Sequence, residues 1–145
     1  MKAVAVLGSA GFVGVMLTIG FGLGAFFVLS EPAVFERWFA DYFVFLLVPV
    51  FITSVPAFVG TIVMLRRSEK GSATRRSWFV ALVGLVLAYG ITSVVSLPLN
   101  IAFWSFTLSD EAITTALAWW MVAHVARTVA ALIGTVYAFR AVTSA

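Results

Sequence analysis

Residues 3–30, 42–65 and 77–109 contain no Asp, Glu, Lys, Arg or His, and residues 112–139 contain only His124 and Arg127. This distribution of charge leaves the chain few options. Crossing the hydrocarbon core of a bilayer as a helix takes about 20 apolar residues, with a range of about 17–25. Each run is long enough, with length over for tilt or an interfacial end. Soluble domains carry about 25% charged residues. Here charged residues make up 10% and apolar residues 63%, and mean hydropathy is +1.12. There is too little polar surface to coat a globule in water. The expected fold is therefore all-α: one transmembrane domain over 1–145, an integral-membrane four-helix bundle with helices at about 4–29, 42–65, 78–101 and 112–139.

The net charge of +3 is not a nucleic-acid signature. Five of the nine basic residues (Arg66, Arg67, Lys70, Arg75 and Arg76) lie in one short segment between two apolar spans, the pattern of a cytoplasmic loop. With Lys2 and Arg140 they put seven basic residues on one side, and Arg37 stands alone on the other. The positive-inside rule then predicts both termini in the cytoplasm and loops 30–41 and 102–111 outside. The expected location is multi-pass in a membrane, a bacterial inner membrane, with the lipid bilayer as the first partner and no nucleic acid. The first apolar run follows Lys2 but exceeds the about 7–15 residues of a signal-peptide core, so a retained helix is expected. The chain has no cysteine, which excludes disulfides.

Local features refine this scheme. Pro32 suits a first helical turn, and Phe35, Trp38, Phe39 and Tyr42 follow at helical spacing, which predicts a short interfacial helix after helix 1. Ser109 can cap helix 4, with Asp110 and Glu111 at the positive end of its dipole. Ala10, Gly14, Thr18 and Gly22 form a small-residue stripe on helix 1. Such a stripe lets helices approach closely in lipid, either within the bundle or in a homo-oligomer that pairs through Gly14, Thr18 and Gly22. Pro49 and Pro56 interrupt helix 2 and free the carbonyls of Phe45 and Ile52, which Thr53 and Ser54 are placed to satisfy.

The polar residues that lipid does not tolerate carry the functional signal. His124 and Arg127 fall near the middle of helix 4, where an Arg costs at least about 2.5–3.5 kcal/mol to insert. Trp120, His124 and Arg127 are spaced i, i+4, i+7 and share a helical face; Ala116, Ala131, Gly134 and Ala138 continue it. On helix 3, Tyr89, Ser93, Ser96 and Asn100 follow i, i+4, i+7, i+11, and Pro98 frees the carbonyl of Val94. A short outer loop makes helices 3 and 4 antiparallel neighbours, so the two faces are expected to enclose a polar site between them. The structural alternative is that Arg127 locks the bundle through carbonyls and hydroxyls, and that His124 is a satisfied hydrogen-bonder. Ionisable residues inside a membrane are functional by default. With one His and no Cys, a zinc or copper site lacks ligands, and no cofactor or metal is expected. Haem held by His124 alone has no further support in the sequence. There is no glycine-rich phosphate loop and no GxSxG elbow.

Ser96-Leu-Pro98-Leu-Asn100, followed by Trp119-Trp120-Met-Val-Ala-His124-Val-Ala-Arg127-Thr128, resembles the anthrone oxygenase-like family of small integral membrane proteins. That family has four helices, an Asn-x-Pro-x-Asn stretch late in helix 3, and tryptophans followed by His-x-x-Arg or Asn-x-x-Arg in helix 4. Pro98, Asn100, Trp120, His124 and Arg127 match; Ser96 stands where the first asparagine is usual. The resemblance covers about residues 90–130. It implies binding of a flat hydrophobic molecule between helices 3 and 4, and oxidation by O2 without a cofactor, as in fungal enzymes that turn anthrones into anthraquinones. His124 would act as the base and Arg127 would stabilise enolate or peroxide charge. Asn100, Trp119, Trp120, Ser96, Tyr89 and Ser93 would line the pocket. The rival reading is a non-enzymatic accessory subunit or small transporter, with the Arg/His site binding an anion or a partner.

Overall fold

The computed structural model describes residues 1–143. It contains four helices long and apolar enough to cross a membrane: α1 (Lys2–Leu29), α2 (Pro32–Arg67), α3 (Ala73–Trp104) and α4 (Asp110–Thr143). Loops of a few residues join them, which makes sequential neighbours antiparallel. At about 1.5 Å per residue each helix exceeds the ~30 Å hydrocarbon core, so its ends reach the headgroup region. Large apolar side chains point outward along the whole length, Phe21 (83% exposed), Leu29 and Val94 among them. In water such a surface would aggregate; in lipid it is solvated. The chain is a multi-pass membrane protein.

Two close helix pairs build the bundle. In α1–α2, a Cβ on Gly8 would lie 2.6 Å from the Ala57 amide nitrogen, and one on Gly60 2.6 Å from that of Ala5. In α3–α4, a Cβ on Gly84 would lie 2.6 Å from the Ala130 carbonyl oxygen and 2.7 Å from Gly134 Cα. Without a hydrophobic force between helices in lipid, such backbone approach supplies the packing. α1 also packs on α4, and α2 on α3, which closes the ring. The stripe of Ala10, Gly14, Thr18 and Gly22 takes no part in this. All four residues face outward, and a Cβ on Gly14 would meet nothing within 4 Å. The face opposite, through Ala5, Gly8, Ser9 and Phe12, is the buried one.

The segment after α1 is not a separate interfacial helix. Residues 32–41 are the first turns of α2, which runs unbroken for 36 residues. Nothing between Pro32 and Pro49 breaks a helix. Phe35 and Phe39 turn inward and are buried, as is Phe43 a turn on, while Trp38 is half-buried and Tyr42 stays exposed. Phe39 stacks on Phe43 at 4.2 Å, and Phe103 meets Phe35 edge-on at 5.0 Å. These rings, with Phe27 and Trp120, fill the end of the bundle away from the termini. Pro49 and Pro56 lie inside α2. Thr53 Oγ1 donates to the Pro49 carbonyl at 2.7 Å, not to that of Phe45, and the Ser54 hydroxyl pairs with the Tyr89 hydroxyl on α3.

α1 and α3 each contain a π-helical stretch, Thr18–Leu23 and Thr92–Ser96. Widening the turn to i→i+5 inserts a residue into the helical phase, and such bulges concentrate at functional sites. In α3 the stretch ends just before Pro98, where the missing amide already interrupts the ladder.

Candidate functional site

His124 and Arg127 are buried, at 2% and 7% exposure. Arg127 is one turn beyond His124 on α4, so its guanidinium folds back on the ring: Nη2 lies 2.7 Å and Nε 3.2 Å from His124 Nδ1. A guanidinium only donates, so Nδ1 is the acceptor. The neutral ring then carries its proton on Nε2, which donates to the Met16 carbonyl of α1 at 2.9 Å. Met16 lies two residues before the π-helical stretch, where the change of hydrogen-bond register disturbs the carbonyls' usual pairing. Gly20 lets α1 come this close: a Cβ there would lie 3.2 Å from His124 Nε2.

Further contacts spread the network over the other helices. Arg127 Nη1 donates to Thr92 Oγ1 at 3.3 Å, and Thr92 donates to the Ala88 carbonyl. Trp120 lies parallel to the His124 ring, with centroids 5.3 Å apart, and its Nε1–H donates to Asn100 Oδ1 at 2.8 Å. Arg127 Cζ stands 5.2 Å from the Trp120 ring centroid, within the range of a cation–π contact. Among the described residues the hydrogen-bond partners of Arg127 are His124 and Thr92, and no carboxylate pairs with it. Three of its five N–H groups are committed; two remain.

The site is therefore built by more than helices 3 and 4. Trp120, His124, Arg127 and Asn100 come together as their spacing predicts. Ser96 is buried, and its Oγ has no hydrogen-bond partner among the described residues. Tyr89 is half-buried and directed to Ser54 of α2. Ser93 is exposed on the bundle exterior, and Trp119 is 62% exposed to lipid; neither reaches the site. Ser93 leaves because the π-helical stretch shifts the phase of α3. Ala88, Thr92, Ser96 and Asn100, four apart, would drift by about 40° per step in an α-helix; the wider turn holds them closer to one face. Thr92 thus takes the place expected of Ser93. A run of polar residues at i+4 before a proline is the signal that points to it. Met16 contributes only its backbone, so no side-chain pattern marks it.

Two spaces adjoin the network. An inner cavity of about 70 Å³ lies between Arg127, Thr92, Asn100 and Tyr89 on one side and Phe12, Met16 and Phe43 on the other. It has room for a small polar group and not for a ring system. A lipid-facing groove of about 320 Å³ runs between α1 and α4, walled by Leu17, Phe21, Met121, Val125 and Val129, with Gly20 and His124 at its floor. That volume falls within the about 300–1,000 Å³ of small-molecule sites. The larger of the two spaces lies between α1 and α4, while Gly84 and Gly134 bring α3 and α4 into backbone contact in the half of the bundle nearer the termini. No group of three or more potential metal ligands occurs among the described residues. No protein-family model, curated protein or solved structure matches the chain.

Proposed function

We propose that the bundle takes up a flat, hydrophobic, enolisable molecule from the bilayer into the α1–α4 groove, and that His124 Nε2–H donates to its carbonyl oxygen. The observation that carries this reading is the locked tautomer of His124 at the floor of an apolar, lipid-facing groove. Arg127 occupies Nδ1, so His124 serves as a donor to a developing oxyanion rather than as a free base. The ligand oxygen takes over the N–H that Met16 holds. With an anthrone as ligand, the reaction is the one the family resemblance implies. Solvent takes the first methylene proton while the N–H holds the enolate oxygen, and the electron-rich enolate reduces O2; the methylene carbon becomes a carbonyl that keeps one oxygen atom, and the other leaves as water with two protons, equal to those the methylene lost. No cofactor enters.

Oxygen uptake with an anthrone in one detergent tests this. His124→Ala should lower turnover by about 10²-fold, the scale of one lost oxyanion donor. His124→Gln keeps an N–H donor and should fall between wild type and His124→Ala. Arg127→Lys loses the planar fork but keeps the charge, and should lose less than Arg127→Ala. Glutamine as damaging as alanine would restore the base assignment and sink the donor role.

A second reading rests on a different observation: a buried guanidinium without a carboxylate, with two uncommitted N–H groups, beside a small cavity. That arrangement suits a non-enzymatic subunit or transporter that binds a small anion or an anionic headgroup of a larger molecule. Wild type consuming no oxygen above the blank, while retaining a bound anion or aromatic chromophore, selects it. Under either reading we place the protein in a bacterial inner membrane with both termini in the cytoplasm, and assign the outward stripe of Gly14, Thr18 and Gly22 to contact with a second copy.

A further inference from the structure

The end of the bundle that carries both termini has a feature the buried site does not use. Here Leu65 and Met64 of α2, Trp78 of α3 and Ala138 of α4 pack around Ala5, and the α2–α3 turn projects beyond them. That turn, residues 66–76, holds five basic residues against the single acid Glu69. Four of the five are exposed; Arg75 is half-buried. Its Nη1 donates to the Leu65 carbonyl at 2.7 Å and the Ser68 carbonyl at 3.2 Å, which caps the end of α2 and fixes the guanidinium. Its Nε and Nη2 hydrogens stay uncommitted among the described residues.

Beside this fixed cation runs an open groove of about 510 Å³. It is lined by Ser72, Arg75 and Arg76 and, one turn further along α3, by Phe79 and Val80, with Leu65 of α2 beside them. Phe79 is 58% exposed. The groove therefore changes from cationic to apolar along its length, in the direction that leads from the turn into the membrane-spanning part of α3. The start of α3 adds the positive end of its dipole to the cationic end. An ion in water matches only half of this surface, and an acyl chain only the other half.

We propose that this groove is a binding site for an anionic phospholipid of the adjoining leaflet. The phosphate lies between Arg76 and the free N–H groups of Arg75, and an acyl chain runs along Leu65, Phe79 and Val80. Charge complementarity selects the occupant: an anionic headgroup gains from the cation pair, a zwitterionic one gains much less. Arg66 and Arg67 lie outside the groove and contribute only to the general field of the surface.

Native mass spectrometry of the full chain in a neutral detergent, titrated with phosphatidylglycerol and with phosphatidylcholine, tests the site. Phosphatidylglycerol should bind at least about fivefold more tightly, the weight of one cation near the membrane surface. Arg76→Gln should remove about that factor, while the double variant Arg66→Gln/Arg67→Gln should change it less than twofold. Melting temperatures of the variants confirm that each is folded. Equal binding of the two lipids overturns the proposal. So does an equal loss in the double variant, which would make the effect a diffuse field. Displacement of the lipid by equimolar inorganic phosphate would show a phosphate site and overturn the lipid assignment.

Discussion

At the scale of single residues, the polar interior sets groups with several partners beside groups that have none among the described residues, Ser96 being the one next to the network. Arg127 holds His124 and Thr92; Ser96 Oγ has no partner among the described residues. Removing them should have opposite effects. Arg127→Leu strands His124 Nδ1, while Thr92 Oγ1 keeps its bond to the Ala88 carbonyl, and a buried polar group left unpaired costs about 1–3 kcal/mol. The large insertion cost of a central Arg does not offset this, because an inserted but unpacked α4 bears it too. Arg127→Leu should therefore lower the melting temperature in detergent. Ser96→Ala deletes an unpaired hydroxyl and should leave stability unchanged or raise it by up to about 1 kcal/mol. A higher melting temperature for Arg127→Leu would mean that the guanidinium is tolerated rather than used. A marked loss in Ser96→Ala would mean that the hydroxyl serves a bound group.

At the scale of elements, glycines of one type divide into two classes by which face they occupy. Gly84 sits at backbone contact with α4, and adding a Cβ must push α3 and α4 apart. Over-packing of this kind costs about 1–3 kcal/mol, more than the about 1 kcal/mol of helix propensity that alanine adds. Gly84→Ala should thus destabilise the protein in a thermal melt. Gly14→Leu meets open space and should not. If a second copy docks on that stripe, Gly14→Leu should also shift the molecule toward monomer in analytical ultracentrifugation. An unchanged distribution, with wild type dimeric, would move the interface elsewhere. The same scale explains the π-helical stretches. Each adjoins the polar network, one beside Met16 and one carrying Thr92, and each re-aims one face of a long helix without ending it.

At the scale of the whole molecule, charge asymmetry predicts which way the bundle stands. Four antiparallel helices put both termini and the basic turn at one end and loop 105–109 at the other. The excess of Lys and Arg predicts that the first end is cytoplasmic. Glu69→Cys and Thr107→Cys, both exposed, should label from opposite sides in sealed cells, with Thr107→Cys reached from outside. Labelling of both from outside would overturn the orientation and the even number of crossings together.

How much of this was written in the chain divides along physical lines. Four long apolar runs, three without charge and one interrupted only by His124 and Arg127, point to four spanning helices by themselves, because a helix satisfies its own backbone inside lipid. The i, i+4, i+7 spacing likewise determines that Trp120, His124 and Arg127 share a face, since within one α4 turn geometry is local. What tertiary structure alone decided is everything that depends on a second helix or on helical phase. A π-helical stretch moved Ser93 out and Thr92 in, and periodicity read at 3.6 residues per turn does not register an inserted residue. Phe35 and Phe39 read as part of an interfacial helix, yet turn inward against Phe27 and Phe103. The stripe through Gly14 and the face through Gly8 both suit close packing by composition; only the position of α2 selected the second. Most of all, the tautomer of His124 follows from a backbone carbonyl on α1 and a guanidinium on α4. No pattern of side chains encodes a carbonyl brought from 108 residues away, so the hydrogen-bonded state of His124 belongs to the fold.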